Sequence, residues 1–127
     1  MDIEWVRTYC LSLPHTTEQV QWGSDLLFKV GGKMYALLPL EPASIWLTFK
    51  CTDEEFAALV DQPGIIPAPY LARAKWVALE TEQALRPAET KRLLRQSYEL
   101  VLAKLPQKTR DALDAAIPKA PTKRKKR

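Results

Sequence analysis

Two apolar runs, Leu26 to Val30 and Lys33 to Leu38, stand on either side of the dipeptide Gly31-Gly32. Paired glycines supply the positive φ that a two-residue hairpin turn needs, so the runs predict two antiparallel strands. In such a turn Val30 faces Lys33 and Lys29 faces Met34, which sends Lys29 and Lys33 to opposite faces near the tip. Ser44 to Lys50 extends the sheet: Ile45, Leu47 and Phe49 alternate with Trp46, Thr48 and Lys50, the pattern of a half-buried antiparallel strand. Gln19 to Trp22 predicts a short strand before the hairpin, and Lys75 to Leu79 a further one after it.

Helical spacing fills the intervals. Asp2 caps a first helix whose apolar stripe is Ile3, Val6, Cys10 and Leu13, and Pro14 ends it. Thr52 followed by Glu55 is a capping box, with Phe56, Leu59 and Val60 on the buried side. Pro87 suits the first turn of a long helix with the stripe Leu94, Tyr98, Val101 and Leu105; Pro106 closes it, and Thr109 to Ala116 adds a turn or two. Gln62 to Tyr70 carries Pro63, Gly64, Pro67 and Pro69, too much punctuation for regular structure. The order predicts an α+β domain, an antiparallel β-sheet with helices packed mainly on one face, over residues 1–116, with 117–127 a disordered basic C-terminal tail.

With 127 residues the chain suits a single domain with one core. No apolar stretch has the length of a membrane span, and Met-Asp-Ile-Glu-Trp is no secretory start, so a cytoplasmic protein is expected, without membrane contact. Its two cysteines, Cys10 and Cys51, do not make a disulfide framework and are expected as free thiols. The net charge is +4, but six positive charges lie in the last nine residues; without them 13 basic residues face 15 acidic ones. The basic character belongs to the tail.

Several segments in order resemble one family. Phe28-Lys29-Val30-Gly31-Gly32-Lys33-Met34-Tyr35-Ala36, Phe49-Lys50-Cys51, Pro63-Gly64-Ile65-Ile66-Pro67, Lys75-Trp76, and Ser97-Tyr98-Glu99-Leu100-Val101 with Lys104-Leu105-Pro106 are similar to MmcQ/YjbR proteins, from about Trp5 to Pro106. The resemblance implies a CyaY-like fold in a bacterial protein, and DNA binding through two wing-like projections, a double wing, with no reaction attached. Where the family often reads Asn-Lys-Lys-His-Trp, this chain has Ala72-Arg73-Ala74-Lys75-Trp76: the cations remain, the amide and imidazole do not.

The candidate nucleic-acid contacts are accordingly Lys29, Lys33, Lys50, Arg73, Lys75 and Trp76, with Lys123, Arg124, Lys125, Lys126 and Arg127 adding sequence-independent affinity for phosphate. Lysines at a hairpin tip also serve solubility, and Trp76 also suits a strand core. The expected function is non-enzymatic, weak DNA binding by a monomer. The alternative is a protein-interaction or small-ligand module with Trp22, Tyr35, Trp46, Tyr70 and Trp76 along an apolar groove. Catalysis has thin support: His15, the only histidine, follows Pro14 in a loop with Cys10 nearby. No metal cluster or phosphate loop is evident, and no cofactor is expected; the frataxin-like acidic ridge for iron is reduced to Asp2 and Glu4 beside Arg7.

Overall fold

The glycine pair makes the turn that the sequence predicts: Gly31 and Gly32 take φ of +59° and +81°, and Val30 faces Lys33 while Lys29 faces Met34. A computed structural model describes residues 1–115. Tail residues Lys123, Arg124, Lys125, Lys126 and Arg127 lie outside the described residues. The chain runs α1 (Ile3–Ser12), β1 (Thr16–Gln21), β2 (Asp25–Val30), β3 (Lys33–Pro39), β4 (Leu47–Lys50), α2 (Asp53–Val60), β5 (Ile65–Pro67), a 3-10 turn (Ala72–Ala74), β6 (Trp76–Leu79), α3 (Pro87–Ala103) and α4 (Gln107–Ala115). Six strands form one antiparallel sheet in the order β1-β2-β3-β4-β6-β5.

The helices start where their caps direct. Asp2 accepts the Trp5 amide at 2.8 Å, Thr52 accepts that of Glu55 at 3.2 Å, and Pro87 occupies the first turn of α3. One sheet face is covered by α1 against β1, α3 across β2, β3 and β4, and α2 beside β5 and β6. Phe28, Tyr35, Leu38, Leu47, Phe49 and Leu79 from the strands meet Val6, Leu59, Leu93 and Leu94 from the helices, all nearly inaccessible to water. The opposite face holds a small cluster, Ala68, Trp76 and Ala78 with Ile45, Ile66 and Leu71.

One irregularity ties the sheet to α3. The β2–β3 register shifts between Phe28, which faces Ala36, and Lys29, which faces Met34, so Tyr35 is the extra residue of a bulge and turns into the core. Its pairing to β4 stops at Ala36 opposite Phe49. Beyond that point Ser97 replaces the ladder: its hydroxyl accepts the Lys50 amide at 2.9 Å and donates to the Tyr35 carbonyl at 2.5 Å. The Tyr35 ring stands edge-on to Tyr98, with centroids 5.4 Å apart.

Some elements differ from the sequence-based expectation. Ile65–Pro67, expected to be irregular, pairs with β6 as an edge strand, where a proline forfeits no ladder bond. β1 begins at Thr16, not Gln19, and Trp22 lies beyond it in a left-handed conformation, φ +54°. Ile45 packs with Ala68, Trp76 and Ala78 while Trp46 packs against the helix-side core, reversing the expected alternation because regular pairing starts only at Leu47. Lys75 precedes the last strand as the left-handed cap of the 3-10 turn, φ +65°. Helix α4 starts just after Pro106, at Gln107.

Candidate nucleic-acid interface

The cations expected at the site come from separate segments, and the sheet gathers them at one end. Lys29 and Lys33 flank the turn between β2 and β3, Lys50 closes β4, and its cross-strand partner Trp76 follows directly on Lys75 and the turn carrying Arg73. Helix α4 supports this end: a side chain at Gly31 would meet Leu105 Cδ1 at 2.5 Å and Thr109 Cγ2 at 3.3 Å. Lys104, between α3 and α4, joins them, and no local pattern marks it, because its proximity to Lys50 is tertiary.

These cations are not equivalent. Lys33 and Arg73 are exposed, and neither forms an ion pair among the described residues. Lys29 donates to Gln19 Oε1 on β1 at 2.6 Å. Lys50 donates to the Ala74 carbonyl at 2.5 Å, and its ammonium is held below the usual lysine range by partial burial and by the charge of Lys104. Lys75 lies 5.0 Å from the centre of the Phe56 ring, a cation–π contact that fixes its direction.

The other end of the sheet carries the opposite charge. Asp2, Glu4, Glu41, Glu80 and Glu82 line an open depression of about 580 Å³ where β3 and β6 end and α1 begins. Of these, Glu4 is paired to Arg7 at 3.1 Å, and Arg7 also binds Glu18 at 2.6 Å; Arg92 binds Glu55 at 2.6 Å and Glu89 at 2.7 Å. The Arg7 and Arg92 guanidiniums hold the Glu18 and Glu89 carboxyls below the usual carboxylate range.

Trp76 presents no ring to a ligand: it is 6% exposed, beneath Ala68, Ile66 and Leu71, so its place among the contacts is corrected to a core residue of the open face. The expected groove of five aromatics is corrected too. Tyr35 is buried on the helix side, and Trp46 packs against that same core. Trp22 and Tyr70 remain, 68% and fully exposed, and both line an apolar cavity of about 400 Å³ on the open face. Met34 and Leu37 on β3, Thr48 on β4 and Ile45 form its floor. Both aromatics take left-handed backbone, φ +54° and +67°, which is uncommon for bulky residues and unreadable from the sequence.

The residues weighed for catalysis sit elsewhere. Buried Nε2 of His15 has no hydrogen-bond partner among the described residues, and the residue directly follows α1 and precedes β1. Burial pushes the Cys10 thiol up to about 12 and the Cys51 thiol up to about 11, away from the thiolate that nucleophilic attack needs. Among the described residues, no group of three or more His, Cys, Asp or Glu side chains gathers as a metal site, and no helix is long and apolar enough to cross a membrane.

The crystal structure of a Deinococcus radiodurans protein, described as domain DUF419, is similar with a TM-score of 0.77 and 30% identity, covering 86% of this chain and 85% of that one. A Pseudomonas syringae protein of known structure is similar in fold, with a TM-score of 0.67 and 23% identity over 79% of this chain and 98% of the other. No curated protein matches. The YjbR family model matches residues 11–100, a span that holds the hairpin, the Lys50 and Lys75 strand ends and Ser97, and the chain belongs to the YjbR family.

Proposed function

We propose that this protein binds DNA without sequence specificity, gripping the phosphate backbone with the cationic end of its sheet. One observation carries the reading: Lys33, Lys50, Arg73, Lys75 and Lys104, drawn from separate segments, share one end, where Asp53 and Glu55 of α2 offset part of their charge, while Asp2, Glu41, Glu80 and Glu82 share the other. A domain with 13 basic and 15 acidic residues outside its last nine has little net attraction for DNA, yet segregation gives it an orientation. Phosphates meet the cations and the acidic end faces away. The basic residues at 119–127 add affinity that no base edge directs. The exposed amines and guanidinium need no cofactor and perform no reaction here. The Deinococcus radiodurans protein, 30% identical, is bacterial, which supports reading this chain as a bacterial one, here proposed to act in the cytoplasm.

A second reading, a ligand or protein-interaction module, is favoured by the cavity between Trp22 and Tyr70. The two are separated by duplex-DNA binding across a salt series, comparing the full chain with a truncation ending at Ile117. Binding that survives truncation supports the cationic end. Binding lost with the tail alone removes the folded domain from DNA recognition and leaves the groove.

A further inference from the structure

We infer that the groove on the open face is a base-stacking site, so that this protein holds single-stranded nucleic acid more tightly than duplex. The inference rests on the phosphate-binding reading for its cations and adds what the bases do. The floor of the groove is β3 and β4. Trp22 reaches it from the β1–β2 turn, and Tyr70 from the β5–β6 connection, so the two rings stand on opposite walls. Tyr70 is fully exposed and buries no surface of its own. An exposed ring over an apolar, sheet-floored groove offers a π-face to a flat partner.

Charge selects which flat partner. The groove runs along the strands, from Asp25 and Trp22 at one end to Met34 at the other, and Met34 lies opposite Lys29 and next to Lys33. Arg73 follows Tyr70 by three residues, in the turn beside it. A ligand in this groove thus has anions at the Lys29 and Arg73 end, outside the apolar part, because Lys29 shares the face of Met34 whereas Lys33 shares the helix-side face of Val30. Asp25 inside the groove repels phosphate and accepts hydrogen bonds from base N–H groups, so a base enters and its phosphate stays with the cations. An aliphatic or neutral peptide ligand would leave Asp25, Lys29 and Arg73 unused. A duplex cannot engage the groove, because its base faces are already stacked.

The test uses the full chain with a fluorescein-labelled single strand of mixed sequence and the duplex of that sequence, at one salt concentration. Trp22→Ala and Tyr70→Ala are compared with Lys29→Ala/Arg73→Ala, each checked for native circular dichroism. The expected result is tighter binding of the single strand, lowered about tenfold by Tyr70→Ala with duplex affinity unchanged. Equal affinity for both forms, untouched by either aromatic substitution but weakened by the charge substitutions, overturns the stacking site and leaves phosphate binding standing. Failure to bind either form overturns both readings. Saturable binding of anilinonaphthalene sulfonate that Tyr70→Ala abolishes, without displacement by the single strand, assigns the groove to an apolar ligand and overturns the inference.

Discussion

The two faces of the sheet are built for different tasks. The helix side is closed by large side chains from both layers, Phe28, Tyr35, Phe49, Leu93 and Leu94 among them, each shielded from water. Among the described residues the open side is covered by the segment from Ala68 through the 3-10 turn, over Trp76 and Ala78. What the first face gains in stability, the second gives up in accessible surface: it leaves an apolar groove and exposed rings. Stability and recognition are thereby separable, and substitutions on the two faces should differ in kind.

The comparison breaks first if the helix-side core proves tolerant. Phe28→Ala should cost about 3–5 kcal/mol in denaturant unfolding, because a cavity opens where both layers interlock. Ser97→Ala should cost about 1–3 kcal/mol, since it strands the Lys50 amide and the Tyr35 carbonyl at the bulge. Alkaline titration sharpens the contrast. The Cys10 thiol is raised to about 12 in the folded protein, so its contribution is complete below the unfolded value of about 8.5 and is lost as pH rises toward 12. Unfolding measured at pH 8 and 10 should show a fall of about 1–2 kcal/mol that Cys10→Ala reduces. On the open face Tyr70→Gly should change stability by no more than about 0.5 kcal/mol, because Tyr70 buries nothing and glycine accepts its positive φ.

Local chemistry made much of this legible. Gly31-Gly32, Asp2, Thr52 and Pro87 each act within a few residues, so the hairpin register and the helix starts follow from the sequence. What escaped depends on neighbours distant in the chain. Ile65–Pro67 is a strand only because β6 lies beside it, and no pattern marks Tyr35 as a bulge that Ser97 completes. The candidate cations were identifiable as residue types, but their gathering at one end is a product of strand order. Trp76 shows the converse: a cation-flanked aromatic reads as a contact, yet strand alternation turns it inward under Ala68.

The most direct measurement is the salt dependence of DNA affinity for the full chain and for Lys33→Ala/Arg73→Ala/Lys75→Ala. If the cationic end grips phosphate, the substitutions weaken binding and lower the slope of log affinity against log salt by roughly 2–3, about 0.9 per lost duplex-phosphate contact. An unchanged affinity and slope would contradict the account, leaving phosphate binding to residues outside the folded domain.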